Sequence, residues 1–135
     1  MSGHLAAFYR ARLDDDEAAA KAAASESDGA VWEFADYESG VSPVSPGSVT
    51  PVAVGAYGFM DPAQGAHIAR HDPARVLRDV EAGRALLADL QETEVCLDRG
   101  YTELTRGSQL TLLTQVRQRA AVYSDHPDYR PEWTL

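Results

Sequence analysis

Residues 65–90 read GAHIARHDPARVLRDVEAGRALLADL, and this stretch determines how the rest of the chain is interpreted. Asp72 and Pro73 form a helix start, because a carboxylate accepts bonds from the first free backbone N–H groups and proline suits the first helical position. The apolar residues that follow recur at helical period; they are Val76, Val80, Leu87 and Leu90. The stretch therefore predicts a long amphipathic helix with Asp72 as its structural cap.

The segment just before this start, residues 64–71, predicts a short helix of its own. His67 and His71 are four residues apart, so their imidazoles would share one face of that helix. This spacing suits a metal ion that bridges one turn, but Ile68 stands where the zincin motif needs a glutamate. We favour a structural interpretation, in which His71 caps or packs beside the next helix and His67 lies at the surface.

Composition bounds the class of protein. The chain has 135 residues, 44% of them hydrophobic, and a net charge of −9. We expect one domain with its own core. The acidic charge opposes direct nucleic-acid binding, which needs clustered basic residues, although it also suits a DNA-mimic-like inhibitor of a basic protein. Cys96 is the only cysteine, which excludes an intramolecular disulfide and suits the cytoplasm. No apolar run is long enough to predict a membrane span.

The first part of the chain predicts a helix followed by a small sheet. Residues 4–24 carry Leu5, Phe8, Tyr9 and Leu13 at helical spacing. Residues 31–60 contain two stretches rich in β-formers and predict a two- or three-stranded antiparallel meander. Residues 38–48, ESGVSPVSPGS, predict a surface loop within it because of their prolines and glycine. We expect an α+β fold with three main helices packed with this sheet.

The rest of the chain, residues 64–123, predicts the central and C-terminal helices. Gly83 lies on or beside the central stripe, where it either admits a close neighbour or is simply tolerated. Thr105 or Ser108 can cap the last helix. That helix has an apolar stripe of Leu112, Leu113, Val116, Ala120 and Tyr123. Residues 123–135 form an aromatic tail that we expect to pack on the domain. The expected core includes Val76, Val80, Leu87, Leu113 and Val116.

Three stretches of the sequence resemble one family. They are FYRARLDDDEAAAKAA (residues 8–23, followed by Trp32), HIARHDPARVLRDVEA (67–82) and YSDHPDYRPEW (123–133). These pieces are similar to small actinobacterial and actinophage proteins grouped as domain-of-unknown-function family 6221. The resemblance spans most of the chain and implies the cytoplasm of a bacterium or of a phage-infected cell. It implies no reaction, cofactor or substrate.

A third histidine gives the sequence its one candidate site. His126 lies in the tail, and with His67 and His71 it can complete a three-histidine site of the kind that zinc accepts, with Asp125 as a further candidate binding residue. An antiparallel return of the last helix would bring the tail back to the start of the central helix, so we expect the three histidines to lie close together. We favour a hydrogen-bonded polar cluster over a metal site, so we expect no cofactor, and zinc is the alternative.

Three classes of function remain open from the sequence. The first is a small acidic interaction or accessory protein with a protein partner or a homodimeric state. The second is a metal-dependent hydrolase or metal-binding protein built on the histidines, and the enzyme hypothesis depends on them alone. The third is an acidic inhibitor of a basic protein. The sequence favours the first class, because it contains no nucleophile elbow and no phosphate loop.

Overall fold

The computed structural model describes residues 2–27, 29–35, 40–44, 51–100 and 103–134. The described residues form four α-helices and a three-stranded antiparallel sheet, so the predicted α+β class is confirmed. The helices are α1 (Ser2–Glu26), α2 (Pro62–Arg70), α3 (Pro73–Asp98) and α4 (Glu103–Ala120). The strands are β1 (Trp32–Ala35), β2 (Gly40–Pro43) and β3 (Ala53–Val54). The short helix predicted before Asp72 is α2.

The sheet has the order β1-β2-β3, with both pairs antiparallel. The loop prediction is wrong for residues 40–43, which form the central strand, while residues 38, 39 and 45–48 of the predicted loop lie outside the described part of the chain. Val41 is completely buried and pairs with Phe34 on one side and Ala53 on the other. Pro43 ends β2, beyond the two residues that pair with β3, and a strand tolerates proline at such a position.

The chain divides into two compact units. The first unit comprises Met1–Asp15 and Val80–Leu135, and the second comprises Asp16–Asp79. The division falls within α1 and within α3, so each of these helices contributes residues to both units. The expectation of a single domain over residues 1–135 stays a prediction.

The first unit has a core of apolar rows from three helices and the tail. Its buried side chains are Leu5, Phe8, Tyr9, Leu13, Val80, Leu87, Leu90, Val116, Ala120 and Trp133. The core prediction is confirmed for Val80, Leu87 and Val116. It is wrong for Leu113, and for Val76 of the second unit, because both are only half-buried. Apolar spacing gives the direction of a helix face but not how much of that face its neighbours cover.

Two buried glycines mark where helices approach their neighbours closely. In the first unit, a Cβ on Gly83 of α3 would lie 2.6 Å from the Tyr9 hydroxyl and 2.9 Å from both Leu13 methyl groups of α1. In the second unit, a Cβ on Gly65 of α2 would overlap the ring of Phe34 in β1. Glycine therefore lets α3 approach α1 and lets α2 lie on the sheet.

Candidate functional site

The predicted histidine pair forms on α2. Asp61 precedes Pro62 and accepts the backbone N–H of Ala63 at 2.9 Å, which fixes the start of this helix. One turn apart, the rings of His67 and His71 have centroids 4.3 Å from each other, and both side chains are exposed. His71 Nδ1 lies 2.9 Å from the His67 carbonyl oxygen; since a carbonyl only accepts, Nδ1 donates this hydrogen bond.

Asp72 joins the start of α3 to the sheet of the second unit. Its Oδ1 accepts the backbone N–H of Arg75 at 2.8 Å, which is the geometry of a helix cap. Its Oδ2 accepts the backbone N–H of Trp32 at 3.2 Å. Asp72 is only 8% exposed. Both carboxylate oxygens are therefore used for structure rather than being presented to a ligand.

The third histidine lies against Arg12 of α1, within the first unit. Arg12 Nη1 is 2.9 Å from His126 Nδ1 and 2.6 Å from its Nε2, and the Arg12 side chain is 14% exposed. The backbone N–H of Asp128 also donates to His126 Nδ1, at 3.1 Å. A guanidinium has only donors, and Arg12 Nη1 lies within hydrogen-bonding distance of both ring nitrogens. A metal ion bound through either ring nitrogen would therefore have to displace Arg12.

An aromatic group surrounds this histidine and holds the tail on α1. The Phe8 ring centroid lies 5.7 Å from that of His126, 5.8 Å from that of Tyr129 and 5.1 Å from that of Trp133. Such edge and tilted contacts stabilise buried rings beyond their area alone. Asp125, the other tail residue of the predicted site, is exposed in the turn before His126.

The structure therefore brings together two of the three predicted histidines. His67 and His71 belong to the second unit and His126 belongs to the first, so their convergence stays a prediction. Among residues 2–27, 29–35, 40–44, 51–100 and 103–134, no group of three or more His, Cys, Asp or Glu side chains could hold a metal ion.

The second unit exposes an apolar turn next to its edge strand. Tyr57 lies in a short 3₁₀ turn, Ala56–Gly58, with a left-handed φ of 57°. This conformation is uncommon for a bulky residue and costs free energy. The Tyr57 side chain is fully exposed, Phe59 is 82% exposed, and Val54 at the sheet edge is 62% exposed. These three side chains form what we call the Tyr57 turn.

The first unit exposes a second apolar surface, which runs along α4 and on one side of that helix reaches α3. Two adjoining depressions, of about 450 and 770 Å³, share the row Leu104, Ser108 and Leu112 along α4. The remaining lining residues are Asp89, Glu92, Thr93 and Cys96 of α3, and Glu103, Thr105, Gly107 and Thr111 of α4. Leu104 is 92% exposed. We call this surface the α3–α4 groove.

The sequence patterns predicted neither the Tyr57 turn nor the α3–α4 groove. The row Leu104, Ser108, Leu112 has i, i+4, i+8 spacing, but it becomes visible only if the last helix begins at Glu103. The prediction that Thr105 or Ser108 caps this helix is wrong, because both lie inside it. The apolar stripe that begins at Leu112 gave no reason to extend the helix backwards. Arg12 carried no sequence signal for its contact with a residue more than a hundred positions away.

Comparison with known proteins identifies the family. The sequence matches the family of unknown function DUF6221 over residues 2–135, so the chain belongs to that family. No curated protein and no solved structure matches it. In the described part of the chain, no helix combines the length and the apolar character needed to cross a membrane.

Proposed function

We propose that this chain is a small acidic interaction or accessory protein that acts through a protein partner or as a homodimer. One observation carries the proposal: large apolar side chains are exposed while a buried core is present. Tyr57, Phe59 and Leu104 are 104%, 82% and 92% exposed, respectively. Exposed apolar clusters rimmed by polar residues commonly mark interaction surfaces, and aromatic residues often dominate the binding free energy.

The charge of the chain supports a protein partner over nucleic acid. A net charge of −9 repels phosphates and favours association with basic surfaces. The proposal places the protein in the cytoplasm of an actinobacterium or of a phage-infected cell, as its family resemblance implies. It assigns the chain no reaction and no cofactor.

The test combines self-association with partner capture. Light scattering on the purified chain reports its oligomeric state, and affinity capture from an actinobacterial lysate, with chemical crosslinking, reports stoichiometric partners. We expect a dimer or a partner that is lost when Tyr57, Phe59 and Leu104 are all changed to serine. The matched control is Val122→Ser, which alters another exposed apolar residue outside both surfaces. A monomer without any partner, or equal capture by the triple variant, would refute the proposal.

A further inference from the structure

The α3–α4 groove is lined by apolar and acidic side chains. Leu104 is almost fully exposed in the row that the two depressions share, and the half-buried side chains of Leu112 and Cys96 also line the groove. The charged residues that line the two depressions are Asp89, Glu92 and Glu103. All three are acidic, and no Lys, Arg or His is among the described residues lining the groove. A partner that fits it must present apolar side chains flanked by positive charge.

The shape of the groove favours a helix as its occupant. The row Leu104, Ser108, Leu112 follows the axis of α4 for two turns, about 12 Å at 1.5 Å per residue. Beside this row, a Cβ on Gly107 would meet nothing within 4 Å, so a partner backbone has room to approach. The smaller depression is lined by α3 and α4, and the larger by α4 alone. Helix ladders satisfy their own backbone groups, so the groove offers no strand edge to an extended peptide. A helical partner satisfies its own backbone and needs only side-chain contacts.

We propose that the α3–α4 groove binds a basic amphipathic helix of a partner protein. The inference rests on the proposed function and names the surface and the partner chemistry for it. Apolar residues of the partner, spaced at i, i+3 or i+4, pack around Leu104 and Leu112. Lysine or arginine residues beside them face Asp89, Glu92 and Glu103.

A designed peptide serves as the probe. It has about 18 residues, which is long enough for five helical turns. Its leucines follow the spacing i, i+3, i+4 and i+7, lysines flank them, and alanines fill the rest. One comparison peptide replaces every lysine by glutamate, and another has the same composition in scrambled order. Fluorescence anisotropy at physiological salt measures the dissociation constant of each peptide for the full chain.

Variants then locate the binding surface. Leu104→Ser should weaken the lysine peptide about tenfold or more, because it removes the apolar centre of the contact. Gly107→Gln should also weaken it, because the added side chain occupies the second depression. Glu92→Gln should weaken it less and reduce the salt dependence of binding. Leu110→Ser and Glu81→Gln are the matched controls: both residues are exposed on the same helices, outside the groove, and should change little.

Three results would overturn the inference while leaving the proposed function standing. Equal binding of the scrambled peptide would show attraction by charge alone. Loss of a partner in Tyr57→Ser and Phe59→Ser, but not in Leu104→Ser, would move the interaction to the Tyr57 turn. Loss of a homodimer in Leu104→Ser, with no binding of the lysine peptide, would make a second copy the occupant. If the peptide does not bind, no dimer forms and no partner is captured, both the inference and the proposed function are overturned.

Discussion

The two units of this chain are stabilised in different ways. The first unit buries rows of large apolar side chains from α1, α3 and α4, and aromatic contacts hold the tail on α1. Of the buried apolar side chains in the described chain, only Ala20, Val41 and Pro73 belong to the second unit. It relies on individual contacts, chiefly the α2 backbone at Gly65 against Phe34 and the two bonds of Asp72.

The difference shows what each kind of stabilisation demands of the sequence. A buried row tolerates exchange among apolar residues of similar volume, because burial is non-directional. A contact such as that of Gly65 with Phe34 depends on the identity of both residues. We therefore expect deletions of volume to cost most in the first unit, and changes of residue type to cost most in the second.

The largest effect should come from Leu87→Ala in the first unit. Leu87 is buried, so its loss removes apolar burial and leaves a cavity, at a cost of about 2–5 kcal/mol in the free energy of unfolding. Urea denaturation measures this loss, and Leu110→Ala, at an exposed position of α4, is the control. A loss under about 0.5 kcal/mol would contradict the placement of Leu87 in the core.

Gly65→Ala should be the next most costly change, and it tests the second unit. The added methyl group overlaps the Phe34 ring, and overpacking of this kind costs about 1–3 kcal/mol. The gain in helix propensity, about 1 kcal/mol, offsets only part of that cost. Hydrogen exchange should show faster opening of α2. Adding Phe34→Leu should restore part of the stability; an additive loss would mean that the ring is not the obstacle.

Replacements of Asp72 should have a smaller effect. Asp72→Ala removes the cap and should cost about 0.5–2 kcal/mol. Asp72→Asn should cost less, because its one oxygen can still accept the Arg75 N–H. Asp72→Asn should still lower stability. Its amide NH₂ would face the Trp32 N–H, which Oδ2 of Asp72 accepts in the native chain, and two donors cannot bond each other. Thermal unfolding of the two variants measures the difference, and equal losses would count against a capping role.

Sequence periodicity predicted the helices and strands that form because one of their faces is buried. The spacing of Leu5, Phe8, Tyr9 and Leu13 predicted α1, and these residues are buried together. The β-formers of residues 31–60 predicted an antiparallel sheet, and the fold class was confirmed. These predictions succeeded because apolar burial leaves a regular pattern in the sequence.

Features that depend on contacts between residues far apart in the chain left no regular pattern in the sequence. Pro43 belongs to a strand because Val41, two residues earlier, is buried in the centre of the sheet, which no local propensity signals. The candidate site was predicted only as far as local spacing reaches: His67 and His71 meet because they are one turn apart. The Arg12–His126 contact required the tertiary structure. The α3–α4 groove was missed because Leu104 is exposed, and periodicity identifies faces that are buried.

The smallest expected effect compares two helical glycines of the first unit. Gly107→Ala should raise stability by about 0.5–1 kcal/mol, because alanine loses less conformational entropy in a helix and its methyl group meets nothing within 4 Å. Gly83→Ala brings the same propensity gain but places a methyl group 2.6 Å from the Tyr9 hydroxyl and 2.9 Å from both methyl groups of Leu13, which is buried. The overpacking cost of about 1–3 kcal/mol should cancel or exceed the gain. Urea denaturation of both variants under identical conditions measures the two changes. If Gly83→Ala were the more stabilising of the two, the close approach of α1 to α3 at Leu13 could not be the reason for glycine at that position.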